Sequence, residues 1–99
     1  MGFKEEVIDL IDRCNRNIVL HPHAIQQASI RAINIDFVKD KIAKNEFIDA
    51  VPNFSERKSF RADKSFLIRI RQSKKYIVEA AAYFYVGDKV LIATVYKLG

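Results

Sequence analysis

The chain has one cysteine, two prolines, three glycines and no tryptophan. With Cys14 alone no internal disulfide can form, which excludes a disulfide-stapled secreted scaffold and points to a reducing compartment. Three glycines leave no material for a glycine-rich phosphate loop, a dinucleotide fingerprint or a Gly-x-Ser-x-Gly elbow. No apolar run approaches the roughly 18 residues that span a bilayer. Glu5, Glu6 and Asp9 stand where a signal peptide would be apolar. A cytoplasmic protein with no membrane partner is therefore expected. His21 and His23 flank Pro22, with no spaced cysteines and no acidic cluster beside them. That pattern predicts no metal and no cofactor.

What the chain does have is apolar mass and positive charge. Its 99 residues are 49% hydrophobic and 29% charged, the make-up of a single domain over residues 1–99 with a modest core. The net charge of +5 favours an anionic partner such as nucleic acid or an acidic protein.

Apolar spacing places the elements. Phe3, Val7, Leu10, Ile11 and Cys14 recur at helical intervals, so a first helix runs from Phe3 to Cys14, with Cys14 a small buried core residue. Ile18 to Leu20 is short and extended. Pro22 suits the first turn of a second helix reaching about Ala32, and Asn34 caps a third, closed by Asn45, whose apolar stripe is Ile35, Val38 and Ile42. Phe47 to Val51 reads as a strand, Pro52-Asn53 as a turn and Ser55 to Lys64 as a polar loop. Beyond it the period becomes two, giving strands Phe66–Arg71, Tyr76–Val86 and Lys89–Lys97.

Gly87-Asp88 reads as a two-residue hairpin turn pairing Val86 with Lys89. That register puts Ala80, Ala82, Phe84, Leu91, Ala93 and Val95 on one apolar face. Phe66, Ile68 and Ile70 must join it, through an odd-numbered loop around Ser73 to Lys75. The opposite face then carries Arg69, Arg71, Glu79, Tyr83, Tyr85 and Tyr96, with Thr94 opposite Ala81. Arg69 falls near Glu79, where a cross-strand ion pair stabilising by about 0.2–1 kcal/mol competes with a catalytic role.

Two segments bear on chemistry. Arg57, Lys58, Arg61, Lys64, Arg69, Arg71, Lys74 and Lys75 outnumber Glu56 and Asp63 between Ser55 and Lys75, interleaved with Phe60 and Phe66. Cations neutralise phosphates and aromatics stack on unpaired bases, but the same lysines also keep a loop and an edge strand soluble. On the second helix His23, Gln27 and Arg31 share a polar sector about 80° wide, with His23 beside the positive end of the helix dipole. Metal-free RNA cleavage needs a base for the 2′-hydroxyl, an acid for the leaving oxygen and cations for the phosphorane. An imidazole can take or give a proton, which makes His23 a candidate acid or base, with Glu79 an alternative base. Arg31, Arg69 and Arg71 could hold phosphate, with Tyr83 or Tyr96 as donors or stacking platforms. All this requires that the His23 helix bring its polar stripe to the open sheet face. Otherwise His23 is a structural histidine bonded to a backbone carbonyl.

His23-Ala24 opening a helix, Arg31, Ile33 and the closing Thr94-Val95-Tyr96 strand resemble a family of small uncharacterised domains allied to the BrnT and RelE-like toxin ribonucleases. Members show arginines four and eight residues after the histidine and Gly-Ile-Ser before the next helix. Here Gln27 replaces the first arginine and Ala32-Ile33-Asn34 replaces the tripeptide. The resemblance covers about residues 18–97. It implies an α+β fold with about three helices on one face of a three- to four-stranded antiparallel sheet, RNA cleavage, and an acidic antitoxin covering the basic face.

Three functions follow as expectations. The first is a RelE/BrnT-like metal-independent endoribonuclease with His23, Arg31, Glu79 and Tyr96 catalytic and Arg57, Lys58, Arg61, Lys64, Arg69, Arg71 and Tyr83 binding RNA. The loss of an arginine at Gln27 favours the second, a noncatalytic nucleic-acid-binding module. The third is a protein-interaction or homodimer module whose interface is the tyrosine-bearing sheet face.

Overall fold

Helical spacing of Val7, Leu10 and Ile11 and of Val38 and Ile42 produces two helices that bury those side chains almost completely. The computed structural model describes residues 2–98. In chain order the elements are α1 (Lys4–Arg13), β1 (Ile18–Leu20), α2 (Pro22–Ile30), α3 (Ile35–Ala43), β2 (Asp49–Pro52), a 3₁₀ turn (Lys58–Phe60), β3 (Lys64–Arg71), β4 (Ile77–Tyr85) and β5 (Lys89–Leu98). The fold is α+β. None of the described helices is long and apolar enough to cross a membrane.

Polar side chains set the helix boundaries. Asn15 and Arg16 take left-handed backbone conformations after α1, and Asn45 does so after α3. Arg16 ties the two helix ends together, donating to the Ala43 carbonyl and to Asn45 Oδ1, each at 2.6 Å, and pairing with Asp12. The Asn34 side chain accepts from the Phe37 N–H at 3.1 Å, the expected cap of α3. At α2 the cap is His21, whose Nδ1 accepts from the His23 N–H at 3.0 Å.

The sheet departs from expectation in two ways. It has five strands in the order β1-β5-β4-β3-β2, and β1 pairs parallel with β5, matching Ile18 with Val90 and Leu20 with Ile92. The expected three- to four-stranded, wholly antiparallel sheet is thus corrected. A parallel pair joined through most of the chain has no turn residue to announce it. The short strand before the loop is also shifted, to Asp49–Pro52.

The hairpin register is corrected too. Tyr85, not Val86, pairs with Lys89, so the loop is Val86–Asp88 with Gly87 at φ 84°. Ala93 then bulges out of β5, and past it the expected pairs Ala81–Thr94, Ala80–Val95 and Glu79–Tyr96 return. Between loop and bulge the strand is turned over. Val90 and Ile92 therefore face the core, while Leu91 and Ala93, expected there, lie on the other face.

The main core lies between the helices and one sheet face. Ala24 and Ala28 of α2 join the residues of α1 and α3 against Phe66, Ile68, Ile70, Val78, Ala80, Ala82, Phe84, Val90, Ile92 and Val95. Cys14 is wholly buried in it, and burial pushes its thiol pKa up. The second sheet face is covered only in part, by the loop from Asn53 to Asp63.

Candidate nucleic-acid interface

Odd-numbered residues of β3 and β4 define this second face, since successive side chains on a strand alternate. Register aligns Asp49, Arg69, Glu79 and Tyr96 as a single row across β2, β3, β4 and β5. Glu79 is only 4% exposed, and both its oxygens are committed. Oε2 accepts from Arg69 Nε at 2.9 Å, and Oε1 accepts the Tyr96 hydroxyl. Arg69 also faces Asp49 at 3.9 Å. Burial, and then the bond to Glu79, pushes the Tyr96 pKa up to about 12. The same Glu79 bond raises the pKa of Arg69 further. Tyr96 therefore keeps its proton near neutrality. Arg69 shares its charge with two carboxylates, which leaves it a poor free anchor for phosphate.

Next to this row the loop folds back over the sheet. Asn53 Nδ2 donates to Ser65 Oγ at 3.0 Å, Ser65 Oγ donates to the Ala82 carbonyl at 3.1 Å, and the Ser55 N–H donates to Asn53 Oδ1 at 3.1 Å. Further along, the Arg57 N–H donates to the Tyr83 hydroxyl at 2.8 Å and the Tyr85 hydroxyl donates to the Phe60 carbonyl at 2.7 Å. Burial raises the Tyr85 pKa. Phe60 meets the Tyr83 ring edge-on with centroids 4.7 Å apart, and the Arg57 guanidinium lies 5.8 Å from the Phe60 centroid.

Between the loop and the uncovered sheet lies a pocket of about 250 Å³. Leu67 and Ala81 are on its sheet side with Tyr83, Thr94 and Tyr96, and Asn53, Ser55 and Arg57 close it from the loop. The small Ala81 side chain leaves the space between the two tyrosines open. Arg71 extends the same face toward the β3–β4 turn, exposed, with Nη1 at 3.5 Å from the Lys74 carbonyl. The arrangement offers an apolar floor, hydroxyl donors and two arginines able to meet anions.

Of the residues singled out in the sequence, Arg57, Arg69, Arg71, Glu79, Tyr83 and Tyr96 are brought to this face. Arg61 is exposed in the same loop, at a left-handed φ of 54°. Lys58 points to solvent and pairs with Glu56 at 3.0 Å. Lys64 belongs to the helix side of β3, where it faces Glu6 of α1 at 3.9 Å. Its even position thus sets Lys64 apart from the pocket, on the opposite side of β3 from Arg69 and Arg71.

The polar stripe of α2 meets an edge rather than the pocket. β1 ends at Leu20, leaving the outward N–H and C=O of Val95 on β5 without a strand partner. Gln27 Oε1 accepts from the Val95 N–H at 3.2 Å and Arg31 Nη1 donates to the Val95 carbonyl at 2.9 Å. Two helix side chains thereby continue the ladder where the strand stops. His23 sits one turn earlier on the same stripe, half-buried, and does not line the pocket.

Asp49, Asn53, Ser55 and Thr94 were missed as site residues. The sequence places Asp49 in a strand without indicating its partner, and Asn53 and Ser55 read only as turn and loop. The signal available was parity, because Asp49 and Val51 lie on the same side of β2. Compared with protein-family models, curated proteins and solved structures, the chain matches none.

Proposed function

We propose that the protein binds RNA through the second face of its sheet, by way of the pocket between the Asn53–Asp63 loop and β3, β4 and β5. The observation that carries this reading is the pocket itself. It combines tyrosine side chains, hydroxyls and Arg57, with Arg71 farther along the same face of β3, in a chain of net charge +5. Cations on such a surface exchange with the counterions of a phosphate backbone, and the part-exposed Tyr96 offers a stacking plane. The resemblance to BrnT and RelE-like domains supports RNA over other anions.

Titrating labelled RNA against salt tests the reading. Affinity that falls linearly on logarithmic axes as salt rises is expected, with a slope of about 0.7 per phosphate contact for a single strand. Binding that is absent at low salt, or indifferent to salt, contradicts it.

A toxin-like, metal-independent endoribonuclease with an acidic antitoxin partner is the second reading, favoured by the row Arg69–Glu79–Tyr96 at the pocket edge. In it Tyr96, released from Glu79 Oε1, donates its proton to the leaving oxygen. Glu79, with both oxygens occupied, requires a rearranged row before it can act as the base, and His23 requires α2 to shift. Incubating end-labelled RNA in EDTA with the protein, Tyr96→Phe and His23→Ala decides it. Fragments ending in 2′,3′-cyclic phosphate, lost in Tyr96→Phe, support cleavage, whereas intact RNA beside measurable binding leaves the binding function alone.

A further inference from the structure

The pocket, at about 250 Å³, has room for a single flat ring. Tyr83 and Tyr96 stand on either side of Ala81 and Leu67, and the loop residues Ser55 and Arg57 close the opposite side. Among the described residues, the hydroxyls of Ser55 and Thr94 take part in no hydrogen bond. The Tyr83 oxygen accepts from the Arg57 N–H, which leaves its own hydrogen free to donate. An apolar floor edged by uncommitted donors and acceptors matches a nucleobase, which has an apolar face and a polar rim. A base held in a duplex presents only its groove edges, and the deep, narrow major groove of A-form RNA keeps side chains from reading them.

Resting on the RNA-binding reading, we propose that this pocket seats one unstacked, unpaired base of a single-stranded RNA, with the adjoining phosphate at Arg57. Charge alone does not distinguish single strands from duplexes at this surface. The pocket does.

The test measures affinity for one labelled single-stranded RNA and for its duplex at equal salt, using the wild type and Ala81→Leu, with circular dichroism confirming that the variant folds. Ala81→Leu fills the floor and leaves every charge in place. The wild type is expected to prefer the single strand by about tenfold, the size of one base-stacking contribution. In Ala81→Leu the single-strand affinity falls to the duplex level, with duplex binding unchanged.

Equal binding of the two RNAs by the wild type overturns the inference while the RNA-binding reading survives, as does a preference retained in folded Ala81→Leu. If neither RNA binds, both fail together. A second measurement needs no variant. A nucleoside 5′-monophosphate is expected to displace single-stranded RNA at concentrations where ribose 5-phosphate does not, and equal displacement by the two overturns the base pocket.

Discussion

Arg69 donates from Nε to Glu79 Oε2 at 2.9 Å, directly across the β3–β4 pair. Glu79 is the more buried partner by far, so the two substitutions that break the pair are unequal. Arg69→Met leaves a buried carboxylate with only Tyr96 for company, and should cost about 1–3 kcal/mol. Glu79→Gln removes the buried charge along with the pair, and should cost less. Urea denaturation of both variants checks the order. The reverse order would mean that Glu79 is not held in place by Arg69.

Tyr96 ionises late. Its pKa is about 12 in the folded protein against 10.0 for an ordinary tyrosine. Between these values the folded state holds the proton that the unfolded chain has lost, so the contribution of Tyr96 to stability is full below pH 10 and disappears as pH rises through about 12. Alkaline titration followed by ultraviolet absorbance should show a tyrosine step near pH 12 that Tyr96→Phe abolishes. A Tyr96 step at the ordinary value contradicts the bond to Glu79.

The stitching of α2 to β5 gives a local prediction. Gln27→Ala leaves the N–H of buried Val95 unpaired, at a cost of about 1–2 kcal/mol. Amide exchange at Val95 should accelerate by more than at Ile92, whose carbonyl accepts from His21 at 2.9 Å. Unchanged exchange at Val95 would show that α2 does not protect that edge.

Cys14 should stay silent. Fully buried, with its thiol pKa raised, it is expected to react with an aromatic disulfide reagent only at the rate of global unfolding. Fast reaction under native conditions contradicts its place in the core.

Much of this arrangement was legible in the residues. Helical spacing located α1 and α3, Asn34 announced its cap, and strict alternation from Phe66 to Ile70 assigned both faces of β3. The Arg69–Glu79 pair follows from that alternation and the odd-numbered loop. Beyond Ala82 the same method failed for a physical reason. A three-residue loop shifts the register by one and the Ala93 bulge shifts it back, so two errors in a local reading cancel at Thr94 and remain at Leu91.

The α2 stripe was visible for a similar reason and misdirected for another. Periodicity places His23, Gln27 and Arg31 together, but what they meet depends on where β1 stops along β5, a contact between residues far apart in sequence. Gln27 and Arg31 consequently serve the β5 backbone. The closure of the pocket by Asn53, Ser55 and Arg57 was equally hidden, because it depends on a loop folding back over residues that follow it.

The central claim is that RNA engages the second sheet face and not merely a basic protein. The most direct measurement compares the RNA affinity of Arg57→Gln/Arg71→Gln with that of Lys39→Gln/Lys44→Gln, which removes the same charge from α3 and its C-terminal cap in the helix layer. The account predicts a loss of about tenfold for the first pair and little change for the second. Equal losses would contradict it, reducing the interaction to net charge and leaving the pocket without a role.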